Sequence, residues 1–473
     1  MIRIDVLPDD VLLEIFDFYM IVQSSHKGKT ESEAWQSLVH VCRRWRTLVF
    51  RSPRRLNLRL YCTHKTPAKD ALDIWPALPL IINSDIEGGM ALSSDMGNII
   101  AALEQSNRVC EVVLHLAGWQ LEKVLAPMQV SIPELTDLRL LSFGEMPPVI
   151  PDSFLDGSAP RLQVLILKSI SFPGLSKLLL SSTQLVHLYL VHIPHSGYIS
   201  PEAMAALLST LSSLEALSLR FRSPQSRPDW ESQSLPPPKR SILPALRILY
   251  FKGVTEYLEE LVARIDTPQL VGINITFFNQ IDFDCPRLAQ YINRTPTLSA
   301  LDEAHVQFDH WTASVILRYR ISDVSFGDLQ IDISCEEQDW QLSSIEQICN
   351  SSFPSLSTVE DLYIEHLNWQ PVWKDDAALN NLWLELLLPF TAVKNLFLSK
   401  EFAPGIAAAL HELIRGRLTE VFPGLQNIFV ERLEPPTRRT FQENIGQFID
   451  ARRLLGHHIA IFVWAKFSVV WPM

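Results

Sequence analysis

The chain reads as α/β: a short all-helical segment at its start, then a long succession of short strands with helices returning between them. Three observations carry this. Apolar residues recur at helical spacing twice within the first sixty positions. Behind them, a pattern of apolar-x-x-apolar-x-apolar returns repeatedly to the end of the chain. The alternation also lacks the glycine-rich turn with which a doubly wound sheet cradles phosphate, and 17 glycines in 473 residues leave little material for one.

In the first helical stretch Val11, Leu12, Ile15, Phe16 and Tyr19 form the apolar stripe. Pro8 suits a first turn, where its missing N–H costs nothing, and Asp9 and Asp10 sit against the positive end of the helix dipole. In the second stretch Trp35, Leu38, Val41, Cys42, Trp45, Leu48 and Val49 recur every three or four positions, until Ser52 and Pro53 end the run. Between them, 20–33 is polar around His26, Lys27 and Gly28 and predicts a solvated loop. Closing such a loop costs under about 1 kcal/mol more than a short one. Each large apolar side chain gains roughly 1.5–3 kcal/mol on leaving water, so the two helices need each other and a further surface.

The strand pattern is clear at Leu135/Leu138/Leu140, Leu162/Leu165/Leu167, Leu185/Leu188/Leu190, Leu214/Leu217/Leu219, Leu246/Leu249/Phe251 and Leu270/Ile273/Ile275, with starts 23 to 32 residues apart. It returns at Val359/Leu362/Ile364, Val393/Leu396/Leu398 and Leu425/Ile428/Val430. Weaker instances fall at Trp75/Leu78/Leu80, Val109/Val112/Leu114, Phe326/Leu329/Ile331 and Ile459/Ile461/Val463, and the gap after Leu270 leaves room for a degenerate unit around Val306 and Phe308. That period, with a short alternating strand and a returning segment such as 201–211 or 406–414, is the signature of leucine-rich repeats. No unit buries its own apolar side, so stacked neighbours share one core, and an irregular leucine-rich-repeat-like solenoid over 55–473 is favoured over ordinary βα units. The place where such repeats carry Asn or Cys holds Phe143, Ile170, Ile193, Arg222, Val254, Phe278 and Leu367, so no asparagine ladder is expected in the turns. Residues 223–241, with Pro224, Pro228 and a proline triplet at 236–238, predict a flexible loop; a binding role and a tolerated insertion are both open. At the far end, helical spacing of Phe441, Ile445, Phe448, Ile449 and Arg452 feeds a last strand at 459–464, so that 441–473 forms a helix–strand cap.

Composition narrows function. A net charge of −12 argues against nucleic acid as the main partner. The one basic cluster, Arg43, Arg44, Arg46, Arg51, Arg54 and Arg55, reads as a solvated helix face or as complementary to an acidic partner. Six scattered cysteines, without C-x-x-C or a histidine at ligand spacing, read as core thiols of a reducing compartment and give no metal site. The apolar runs 382–390 and 459–470 are too short for a membrane span, and Asp5, Asp9 and Asp10 exclude a signal peptide, which predicts a cytoplasmic or nuclear protein. Nucleotide, hydrolase and zinc-protease motifs are absent, so neither an enzyme nor a cofactor is expected.

The order Leu7, Pro8, Asp10, Val11, Leu12, Ile15, Phe16, then Leu38, Val41, Cys42, Arg43, Trp45, resembles the F-box, a small helical module that docks on the Skp adaptor of cullin–RING ubiquitin ligases. The run 52–60 and the stretches 383–409 and 422–429 look like the F-box proteins abundant in mushroom-forming fungi. The resemblance implies an F-box-like module over 1–54 and a substrate-recognition subunit, with adaptor contacts from Leu7, Pro8, Val11, Leu12, Ile15, Phe16, Leu38, Val41, Cys42 and Trp45. The solenoid would then present outward residues such as Arg139, Lys168, His187, Tyr189, Arg220 and Tyr250 to a protein target. A second reading stays open: a scaffold or sensor whose N-terminal helices only cap the first repeat.

Overall fold

A computed structural model describes residues 6–25, 31–64, 72, 74–75, 77–84, 96–144, 146–228, 240–278, 285–298, 301–319, 328–335, 339–351, 356–367, 377–435 and 437–464. The chain divides into two compact units, Met1–Gly197 and Tyr198–Met473, so the division falls within the repeats and not behind the helical segment at residue 54.

Unit 1 opens on three helices, α1 (Asp9–Ser25), α2 (Glu31–Val39) and α3 (Arg43–Arg51). Strands β1 (Leu60–Cys62), β2 (Leu80–Asn83), β3 (Val109–Ala117), β4 (Asp137–Phe143), β5 (Val164–Lys168) and β6 (His187–Ile193) follow, with α4 (Gly97–Leu103), α5 (Gly118–Leu125) and α6 (Leu175–Ser181) between them. Each strand pairs in parallel with the next in sequence. The register places Cys62, Ile82, Val112, Leu138, Leu165 and Leu188 in one column, and all are fully buried. That column is the shared core that the leucine spacing predicts.

The helical segment departs from its prediction in two places. Helix α1 continues to Ser25 and α2 begins at Glu31, so 20–25 and 31–33 of the expected 20–33 loop are helical, and 26–30 lie outside the described residues. The second stretch is not one helix: α2 stops at Val39, and Cys42 is extended (φ −158°, ψ 169°) with its Sγ accepting from the Trp45 N–H as the N-cap of α3. Val41 and Cys42 therefore occupy a turn. Trp35 is buried, donates from Nε1 to the Arg59 carbonyl at 3.1 Å and lies edge-on to Trp75 at 5.0 Å, which joins the helices to the first strands.

Unit 2 continues the alternation with α7 (Pro201–Leu208), β7 (Ala216–Phe221), a short pair β8 (Ser241–Ile242) and β10 (Ile265–Asp266), β9 (Ile248–Gly253), α8 (Thr255–Val262), β11 (Gly272–Phe277) and α9 (Pro286–Asn293). Most of the proline-rich stretch, 229–239, lies outside the described residues. Successive helices are tied directly: the Glu259 carboxylate on α8 accepts from the Arg287 and Leu288 N–H groups of α9, at 3.0 and 2.7 Å. The gap after Leu270 holds more than one degenerate unit. Strands β12 (Glu303–Phe308), β13 (Thr312–Arg318) and β14 (Leu329–Ser334) form an antiparallel run, with β14 parallel to β11 and β12 parallel to β15 (Asp361–His366). The alternation of buried and half-buried residues holds in β12 and β14, with Val306 and Phe308 inside, while the reversed strand between them is buried throughout 313–317, so the core continues across it.

Beyond α10 (Asp339–Asn350) and β15, the parallel rhythm resumes with α11 (Ala377–Leu387), β16 (Asn395–Leu398), α12 (Ala403–Glu412), β17 (Asn427–Glu431), α13 (Thr437–Leu454) and β18 (Ala460–Trp464). Helix α13 buries Phe441, Ile445, Phe448 and Arg452. The Arg452 Nη2 donates to the Val421 and Phe422 carbonyls at 2.7 and 2.8 Å, so a buried cation finishes the preceding turn. On β18, by contrast, Ile461 and Val463 stay exposed, and 465–473 of the expected cap lie outside the described residues.

Candidate interaction surfaces

Helix α1 has two apolar sides. Leu12, Leu13 and Phe16 turn inward, and the Phe16 ring meets Trp45 at 4.7 Å. On the other side Pro8, Val11, Ile15 and Phe18 follow i, i+3, i+7 and i+10, one stripe of a 3.6-residue helix, and all are exposed. Ion pairs fix that orientation. Arg44 bonds Asp9 at 2.6 Å and donates to the Leu7 carbonyl, and Arg55 joins Glu14 and Asp17.

The ten residues expected to meet an adaptor thus sort by depth. Leu12, Phe16 and Leu38 are interior and can act only by holding the helices together. Leu7 and Trp45 are half-buried, while Pro8, Val11, Ile15, Val41 and Cys42 face outward. Phe18, 69% exposed, belongs to the outer stripe although the half-motif omits it, and its spacing from Ile15 was the available signal.

The six residues expected to meet a target all occupy half-buried positions of their strands. In unit 1, Arg139 bonds Asp137 on its own strand with two hydrogen bonds of 2.9 and 2.7 Å, which raises the guanidinium pKa further. Tyr189 shares its row through Ile166, His187 stands edge-on to Tyr189 at 6.1 Å, and Lys168 lies between Leu141 and Val191 in the neighbouring row. In unit 2, the Arg220 guanidinium lies 5.1 Å over the Tyr250 ring.

A larger feature of unit 2 escaped the sequence reading. The outward residues His305, Tyr363, Phe397, Phe429 and Phe462 are register partners across β12, β15, β16, β17 and β18. Their rings stack at 4.4, 4.1, 4.4 and 5.1 Å, the first three pairs within 8° of parallel. Trp464 stands perpendicular to this strip, 5.6 Å from Phe397. One row away a polar chain runs Asn427 to Asn395 to Asp361 through amide hydrogen bonds of 2.7 and 2.6 Å. Asparagines do form a ladder, then, but at strand starts rather than in the turns. His305 bonds Glu303 at 2.7 Å and lies 3.7 Å from Glu365. Burial lowers its pKa, and the two carboxylates more than reverse that, leaving it raised.

Cys62, Cys285, Cys335 and Cys349 are buried, and burial pushes the Cys62 and Cys335 thiols up to about 11, which keeps them protonated. Among the described residues no cluster of three or more His, Cys, Asp or Glu is placed to hold a metal ion, and no helix is long and apolar enough to cross a membrane. No family model and no curated protein matches the chain. Among solved structures it is similar to the leucine-rich repeat-containing protein LegL7 from Legionella pneumophila, at 13% identity and a TM-score of 0.28, over 72% of this chain and 91% of that chain. The leucine-rich-repeat-like reading of both units rests on the register and the buried columns described above.

Proposed function

We propose that this chain is a non-catalytic receptor that docks on a Skp-type adaptor through its N-terminal helices and holds a protein target on its sheet faces. Transfer of ubiquitin would belong to the assembled ligase, and the receptor would act by raising the effective concentration of its target. The observation that supports it is the outer stripe of α1. Val11 and Ile15, each 39% exposed, and Phe18 stand in water on a helix whose other side is already packed, which is costly unless a partner covers them. The scaffold reading draws support from Trp35, which makes the same helices a cap on the first strands.

The two readings separate in a co-purification of the full chain with a Skp adaptor. Exchange of Val11→Asp together with Ile15→Asp touches exposed positions only, so the circular dichroism spectrum and melting temperature should hold. Adaptor recovery should fall more than about ten-fold, since burying a carboxylate against an apolar partner costs several kcal/mol. Undiminished recovery would sink the ligase reading and leave the cap.

A further inference from the structure

The last described strand of unit 2 leaves its inward columns open. Along the register Leu396 and Ile428 are fully buried, whereas Ile461, next in their column, is 45% exposed. In the neighbouring column Val430 is buried and Val463 beside it is 76% exposed. On the outward side Phe462 ends the row of rings, with one face against Phe429 at 5.1 Å and the other turned to the sheet edge. Strand β18 pairs with β17, and no described strand lies on its other side, so alternate N–H and C=O groups point out of the sheet. Trp464 does not cover that edge. Its ring folds back toward β15 and β16, 5.6 Å from Phe397, and its Nε1 donates to the Leu398 carbonyl at 3.3 Å. Residues 457–464 contain no Asp, Glu, Lys or Arg, the charges with which exposed edge strands resist pairing.

We propose that β18 pairs antiparallel with β18 of a second copy of this chain, about a two-fold axis through Phe462. The edge itself defines its occupant: an extended strand with an aromatic residue outward between two apolar residues inward. With Ile461, Phe462 and Val463, β18 is such a strand. In this register each Ile461 stands opposite the second copy's Val463, which closes both inward columns, and the two Phe462 rings meet across the axis. Opposed side chains of antiparallel strands lie about 4.5–5.5 Å apart, close to the spacing at which the row already stacks, so the row continues through the axis. The contact is isologous: it occupies both free edges at once and closes without growing into a filament. Five paired residues cover less than the roughly 800 Å² per partner of a standard interface, so the dimer should be reversible and concentration-dependent. This inference goes beyond the receptor reading and does not rest on it.

The test is sedimentation equilibrium of the full chain across a micromolar concentration series. Wild type should pass from monomer to dimer, and the dimer should tighten with added salt, which screens two copies of net charge −12 from each other. Ile461→Lys with Val463→Lys alters exposed positions only, so the melting temperature should hold while the dissociation constant rises at least about ten-fold. Oxidative cross-linking reads the register separately, with wild type, whose Cys42 is exposed, as the blank. Phe462→Cys should give a disulfide-linked dimer, since the two positions face each other across the axis. Val463→Cys should not, because its two copies lie beyond the roughly 7 Å that a disulfide spans between Cα atoms. A chain that stays monomeric throughout overturns the proposal and leaves the edge to residues 465–473 or to another partner. Dimerisation that the lysine pair leaves unchanged, or that weakens with salt, puts the contact elsewhere and overturns it as well. So does cross-linking at 463 equal to that at 462, or none at 462. If the lysine variant fails to fold, the two cysteine variants decide.

Discussion

The outward faces of the two units share one geometry and differ in chemistry. Across β4–β6 the middle row reads Arg139, Ile166, Tyr189; across β15–β18 it reads Tyr363, Phe397, Phe429, Phe462. Behind these rows the inward columns are interchangeable, Leu138, Leu165 and Leu188 in one, Leu362, Leu396 and Ile428 in the other. In a parallel in-register stack each outward side chain meets its own counterpart about 4.8 Å away. A repeated aromatic then becomes one continuous contact. A mixture of charge and aliphatic carbon instead pairs within its strand, as Arg139 does with Asp137.

The inward half of that comparison predicts the largest effects. Leu165→Ala and Leu396→Ala each remove a fully buried side chain, and each should cost about 2–5 kcal/mol in urea unfolding. Comparable losses in both units would confirm that the columns are equivalent. A silent substitution in either would show that its repeat does not share the common core. The outward half predicts a smaller and unequal pair. Phe397 stacks on both sides, so Phe397→Ala should cost about 1–3 kcal/mol, two aromatic contacts of roughly 0.5–1.5 each. Ile166→Ala, half-buried in a mixed row, should cost about 1 kcal/mol or less. Equal costs would mean that the stacked rings add nothing beyond their area.

Sequence reading found the inward half because leucine spacing obeys a physical rule: every second strand residue must leave water, whatever stands between. It located β4–β7, β9 and β11 at Leu138, Leu165, Leu188, Leu217, Leu249 and Ile273, and the helices near 201–211 and 406–414. It missed the antiparallel β13, whose residues 313–317 are all buried and so show none of the apolar-x-apolar alternation that marks the other strands. It merged α2 with α3 because apolar spacing continues through a turn when both flanking helices face one core. The aromatic strip was visible as the residue between the last two apolar positions of each pattern, Tyr363, Phe397, Phe429 and Phe462. It went unread because only the register makes those positions neighbours. On α1 the half-motif named inward and outward residues together, since both are apolar, and depth alone separates Leu12 and Phe16 from Val11 and Ile15.

The smallest expected effect tests whether charge or stacking holds His305 at the head of the strip. Its ring is parallel to Tyr363 at 4.4 Å and its nitrogens face Glu303 and Glu365. Burial disfavours the imidazolium, but the hydrogen bonds and charges of the two carboxylates outweigh it, so the folded pKa lies above the ordinary histidine value of 6.5. A raised folded pKa means that the fold binds the proton more tightly than the unfolded chain does. The resulting stability is fully present below 6.5 and is lost as pH rises through the folded value. Asp332, whose pKa burial also raises, changes with the same sign but from a lower starting point, 3.8, so the variant comparison must isolate the histidine. The urea midpoint of wild type minus that of His305→Gln should therefore shrink between pH 5.5 and 8.5, by less than either substitution effect above. If the difference stays constant, the ring holds its place by stacking on Tyr363 and the carboxylates take no part; if it grows with pH, the imidazole is buried neutral and Glu303 stands by the strip as an uncompensated charge.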